Sequence, residues 1–145
     1  MTVEVRTEPF DPWQAVARYQ VGVLGQAGKY GATGVFVGTM RDFNEGEGVR
    51  AMTLEHYPGM TERHLEKISQ EAAARWDILD SLIIHRSGTM QPNDPIVLVA
   101  VWSAHRGAAL EACRFLIEEL KSRAPFWKKE ALSGGERWVT HSTSG

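Results

Sequence analysis

The chain has 145 residues, 43% of them hydrophobic, and its 16 lysines and arginines against 18 aspartates and glutamates leave a net charge of −2. A chain of that length fits one domain, residues 1–145, and buries roughly two-thirds of its unfolded surface, so a genuine core is expected. The near-balance of charge excludes a global attraction to nucleic acid, and no apolar run approaches the ~20 residues of a membrane helix. The opening MTVEVRTEPF lacks the basic and apolar regions of a signal peptide, which makes the cytoplasm the expected compartment.

Asp11 followed by Pro12 is an N-cap and first-turn signal and predicts a helix running to about Val21. Gly25 to Gly31 reads as a loop. Residues 32–38, ATGVFVG, form a short apolar strand; residues 49–57, VRAMTLEHY, alternate well enough for a half-buried one, with a turn-rich RDFNEGEG between them. From Met60 to Trp76 apolar residues at 65, 68, 72 and 76 mark one helical face, with Thr61 the candidate N-cap.

Two further strands, SLIIHRSG from 81 and PIVLVAVW from 95, are separated by a turn holding Pro92, Asn93, Asp94 and Pro95. A helix from about Gly107 to Arg123 follows and must end near Ala124, because the residue before a proline is disfavoured in the helical region. An SGGE turn at 133–136 leads to a last strand, RWV at 137–139, and residues 140–145 read as a disordered tail. These elements predict an α+β class, a compact mixed sheet flanked by about three helices. Hairpin-length connections weigh against a doubly wound sheet.

The chemistry concentrates in three places. KSRAPFWKKE, 121–130, sets four cations within nine residues around Pro125 and two aromatics. An anion pocket and a solvated helix end, whose lysines offset the negative pole of the helix dipole, stand level for this segment alone. At Ser103, Ala104, His105 and Arg106 a strand runs into a helix N-terminus, where unpaired N–H groups and an arginine suit a phosphate. The alternative there is an N-cap serine and a structural histidine. Arg41, in GTMRDFN, lies just past an apolar strand at the rim of the sheet, or else pairs with Asp42, Glu45 or Glu47.

The single cysteine, Cys113, lies in a helical pattern near Ala109, Leu116, Ile117 and Leu120, so it reads as a core residue. No internal disulfide or cysteine zinc site is open to this chain. His56, His64, His85 and His105 are dispersed without metal-ligand spacing, which argues against a bound metal.

Taken together, GTMRDFNEGEGV, LEHYPGMTE, IIHRSG, SAHR and KSRAPFWKKE resemble, in order and approximate spacing, the large catalytic subunit family of molybdopterin synthase, from Gly34 to Val139. The resemblance implies an α/β hammerhead-like fold and conversion of cyclic pyranopterin monophosphate (precursor Z) into molybdopterin by insertion of two dithiolene sulfurs. It implies a small ubiquitin-like partner with a C-terminal Gly-Gly thiocarboxylate as sulfur donor, and a homodimer of large subunits within a heterotetramer. No cofactor is implied. Lys121 and Lys128 are then the catalytic candidates; Thr39, Met40, Arg41, His105, Arg106, Lys129 and Glu130 are the substrate-binding ones. Phe43 departs from the family pattern, in which that position is polar and often histidine.

The residues fit that division of labour. A transferase working through its own persulfide needs an exposed, activated cysteine, and Cys113 is expected to be buried, so sulfur must arrive from outside. His105 and Lys121 stand at opposite ends of one predicted helix, separated by ~24 Å, which a small pterin cannot span. A site shared across a two-fold dimer, with His105 and Arg106 of one subunit facing Lys121 and Lys128 of the other, resolves the conflict.

Overall fold

The computed structural model describes residues 1–25, 28–41, 43–44, 47–123, 126–132 and 135–139; for 23–24, 43–44, 47–50, 127–132 and 137–139 it describes the backbone alone. The expected tail, 140–145, and Ala124 and Pro125 lie outside the described residues.

Two sheets form where one mixed sheet is expected. The first contains β1 (Thr2–Arg6), β2 (Ala32–Thr39), β5 (Asp80–Arg86) and β7 (Pro95–Ser103) in the order β1-β5-β7-β2. β1 runs parallel to β5, and the remaining pairs are antiparallel. β5 and β7 are buried on both faces, which is why they read as unbroken apolar runs. β1 was legible as the alternation Thr-Val-Glu-Val-Arg, yet it is absent from the strands expected above.

Each face of this sheet carries its own core. On one side α2 (Met60–Arg75) and α3 (Arg106–Arg123) pack Leu65, Ile68, Ala72, Leu116 and Leu120 onto Ile83, Val99 and Val101. Gly34 of β2 lets α3 lie directly on the strand, because a Cβ there would stand 2.5 Å from the Ala109 carbonyl oxygen. On the other side α1 (Pro12–Tyr19) seats Tyr19 on Trp102, their rings 5.2 Å apart and stacked, beside Leu82, Ile84 and Leu98.

The helix boundaries follow local chemistry. Asp11 caps α1, its carboxylate accepting the N–H groups of Trp13 and Gln14 at 3.0 and 3.3 Å. The α-helix ends at Tyr19 and continues as a π-helical turn, Gln20–Leu24, so the regular helix is shorter than expected. At α2 the cap is Gly59, not Thr61. Gly59 turns the chain at a φ of 81°, its N–H is accepted by Glu62 Oε1 at 3.1 Å, and Thr61 is buried in the first turn.

The second sheet contains β3 (Phe43–Asn44), β4 (Glu47–His56), β8 (Phe126–Leu132) and β9 (Gly135–Val139) in the order β3-β4-β8-β9, with β6 (Gly88–Met90) paired to β4. Met40, Met52, Leu54 and Met90 make its small core, with Phe126 and Ile96 packed against it. The segment after α3, read above only as an anion pocket or a solvated helix end, is therefore a strand paired along β4. Its Phe126 ring stacks on His85 at 3.9 Å, which fixes the start of β8 against β5.

Candidate active site

Lys121 sits in the last turn of α3, half-buried, with its ammonium nitrogen 6.0 Å from the centre of the Phe36 ring of β2. An ammonium over an aromatic face is attracted by the ring quadrupole. Burial pulls the affinity of this amine for its proton below the usual value, and the charge of Arg41 pulls it further, while Glu118 acts in the opposite direction. Arg41 is exposed and follows Met40 just past the end of β2. The strand-end arginine and the helix-end lysine thus belong to one electropositive locus, assembled because β2 and α3 pack on each other through Gly34.

The neighbours of Arg41 divide. Thr39 is exposed at the end of β2, on the same rim. Met40 is 3% exposed and packs into the core of the second sheet, and its backbone N–H and carbonyl are both hydrogen-bonded to the turn at 93–94. Met40 therefore anchors the chain immediately before Arg41, its side chain in that core and its backbone in that turn.

β8 brings the second half of KSRAPFWKKE alongside β4. Lys128 stands opposite Leu54, Lys129 opposite Thr53 and Glu130 opposite Met52. The side chains of these three lie outside what is described. Phe126, whose ring is described, lies between His85 and His56, with ring centres 3.9 and 6.1 Å away.

The opposite end of α3 carries the other cations. Ser103 is buried at the end of β7, where its hydroxyl donates to the Asp77 carbonyl at 2.8 Å and accepts the His105 N–H at 3.3 Å. The serine of SAHR is therefore spent on the turn. His105 and Arg106 are both exposed at the start of the helix, where backbone N–H groups lack helical acceptors. Arg106 and Lys121 are separated along this unbroken helix by ~22 Å, so one copy of the chain does not bring them to one small ligand.

Cys113 is 6% exposed, its Sγ 3.7 Å from the Val99 carbonyl oxygen, and burial pushes its thiol up to about 11. A thiol so held is not a nucleophile at neutral pH. Among the described residues no three of His, Cys, Asp and Glu converge as a metal site. A cavity of about 460 Å³ opens between β1 and α1, lined by Glu4, Arg6, Phe10, Arg18 and Tyr19 among others, and none of the expected site residues borders it. Arg41, Lys121 and the lysines at 128 and 129 lie instead just past β2, at the end of α3 and on β8. Sequence reasoning missed Phe36 beneath Lys121 and the turn that holds Met40, both of which depend on contacts distant in the chain.

The model of the MoaE protein family matches residues 5–123. The chain is 50% identical over 138 residues to the molybdopterin synthase catalytic subunit of Ralstonia nicotianae, covering 95% of this chain and 76% of that protein. Among solved structures it is similar to the molybdopterin biosynthesis MoaE protein of Burkholderia ambifaria, with a TM-score of 0.78 and 47% identity over 99% of this chain and 92% of that one. It is also similar to molybdopterin synthase of Staphylococcus aureus, with a TM-score of 0.83 and 33% identity over 95% of this chain and 96% of that one.

Proposed function

The chain belongs to the MoaE protein family, and from that premise we propose that it is the catalytic subunit of a molybdopterin synthase, converting cyclic pyranopterin monophosphate into molybdopterin. The sulfur is carried to it on the C-terminal Gly-Gly thiocarboxylate of a small ubiquitin-like partner. Each delivery moves one sulfur to the pterin and leaves the carrier as a carboxylate; two deliveries complete the dithiolene. The protein acts in the cytoplasm as a single domain, without a metal or cofactor of its own.

The observation that carries this reading is the electrostatic coupling of Arg41 to the half-buried Lys121 in the last turn of α3, the helix that precedes the strand bearing Lys128 and Lys129. Anionic groups enter this reaction three times: as the substrate phosphate, as the carrier tail and as charge developing on oxygen during displacement. Fixed cations in a partly desolvated rim stabilise all three. Lys121, held by Phe36 and weakened as a base by burial and Arg41, orients the thiocarboxylate; Lys128 assists proton transfer. Thr39, Met40, Arg41, His105, Arg106, Lys129 and Glu130 hold the pterin and its phosphate. The buried Cys113 leaves the carrier as the source of sulfur.

The length of α3 supports a shared site. His105 and Arg106 of one subunit serve Lys121 and Lys128 of the other across a two-fold homodimer, with one carrier at each outer end of the heterotetramer. The decisive experiment incubates the protein with thiocarboxylated carrier and precursor Z and follows both by mass spectrometry. The expected result is carrier converted to carboxylate and a sulfurated pterin. Carrier binding without conversion would instead mark a docking module for a ubiquitin-like protein.

A further inference from the structure

Arg86 is a buried cation that the sulfur-transfer reading leaves without a duty. It is 5% exposed at the end of β5. Its Nη2 donates to the carbonyls of Thr89 at 3.2 Å and Thr7 at 3.4 Å, and its Nη1 lies 3.6 Å from Asp94 Oδ2. Its Nε is buried without a partner among the described residues. Asp94 is 39% exposed, so only the arginine of this pair is buried, and an apolar side chain of similar volume would fill its place without the cost of desolvating a charge, which calls for another explanation.

The contacts of Asp94 supply one. Its Oδ2 also accepts the Gln91 N–H at 2.9 Å, and its own N–H donates to the Gln91 carbonyl at 3.0 Å, closing the turn from 91 to 94. Within that turn Asn93 takes a left-handed φ of 74°, a conformation that asparagine tolerates better than most residues. The turn then grips the strand end opposite: Asn93 N–H donates to the Met40 carbonyl at 2.8 Å, and Met40 N–H donates to the Asp94 carbonyl at 2.9 Å. This two-bond clamp lies just past the point where the β2–β7 register shifts, between Gly38 and Thr39. The next residue is Arg41.

We propose that Arg86 is a positioning residue: through Asp94 and the 91–94 turn it clamps Met40 and so holds Arg41 on the rim beside Lys121. The guanidinium touches no reacting group. It selects one placement of the Asp94 carboxylate, which selects one turn, which holds the backbone from which Arg41 projects. The consequence for catalysis rests on the sulfur-transfer reading, whereas the clamp does not.

The test therefore has two arms, run on the full chain with its carrier. In hydrogen exchange, Asp94→Asn and Arg86→Gln lower the protection of the Met40 and Asn93 amides by about tenfold or more, while Val99 and Val101 in the centre of β7 are unchanged. Unchanged protection at Met40, or an equal loss throughout β7, overturns the proposal. Asp94→Asn keeps an acceptor for Gln91 and decides the matter if Arg86→Gln does not fold. In the sulfur-transfer assay Asp94→Asn lowers kcat/KM by about tenfold, and Arg41→Gln with Asp94→Asn is no slower than Arg41→Gln alone. Additive losses overturn it as well. If the wild-type protein transfers no sulfur, the functional reading falls and the exchange arm alone decides the clamp.

Discussion

Arg41 and Lys121, far apart in the chain, stand close enough that the guanidinium lowers the proton affinity of the amine, in addition to the larger effect of burial. Two cations held together against their repulsion require a scaffold that brings the end of β2 to the end of α3. The outcome expected of Lys121→Ala is a loss of sulfur transfer of about 10²–10⁴-fold, the range typical of a removed proton-transfer or charge-stabilising group. Turnover equal to wild type in the mass-spectrometric assay would remove Lys121 from the chemistry.

The same depressed proton affinity makes a statement about stability. Lys121 holds its proton less tightly folded than unfolded, so at pH values below its folded pKa the protonated amine opposes folding. Between the folded and unfolded pKa values the unfolded chain binds more protons, and stability rises with pH through that window. Lys121→Met keeps most of the aliphatic stem and removes the titration. Denaturant unfolding at a series of alkaline pH values should show a shallower rise for the variant; parallel curves would contradict the assignment.

Cys113 should be dispensable. With its thiol pushed up to about 11 by burial, it resists alkylation by iodoacetamide at pH 8 in the folded protein. Cys113→Ala is expected to retain sulfur transfer and to lose about 1 kcal/mol of stability, the usual cost of a small core change. A variant that folds but transfers no sulfur would reinstate the cysteine as a carrier.

Gly34 tests the coupling of β2 to α3. A Cβ at this position meets the Ala109 carbonyl at 2.5 Å and its carbon at 2.9 Å, both backbone atoms that cannot swing aside. Gly34→Ala should destabilise the fold by about 1–3 kcal/mol, as overpacking does. It should also weaken the Arg41–Lys121 site, since it pushes apart the two elements that carry it. Calorimetry measures the first effect and the sulfur-transfer assay the second.

Complementation tests the shared site. Arg106→Ala and Lys128→Ala subunits, each inactive as a homodimer, should recover activity when mixed, because one of the two sites in the mixed dimer then carries both intact residues. Verified mixed dimers without recovery would place the whole site in one subunit.

Much of the framework was legible because it is local. Asp11-Pro12 announces its cap, the spacing of Leu65, Ile68 and Ala72 announces a buried helical face, and PIVLVAVW announces a strand covered on both sides. Phe126 to Leu132 was not legible as a strand: its partner, β4, lies far upstream, and its lysines read more readily as a helix-end cluster. Thr61 was a reasonable cap by residue type, but Gly59 and Glu62 perform that role together.

The sequence by itself determined which residues carry charge, which stretches turn or extend, and that the only cysteine lies in an apolar helical face. Those follow from near-neighbour sterics and hydrophobic period. Only the tertiary structure decided that Met40 is an anchor and Arg41 the projecting cation, that Phe36 lies under Lys121, and that Arg86 reaches the turn holding Met40. Proton affinity and clamping depend on distance and desolvation between groups remote in the chain, and folding alone sets both.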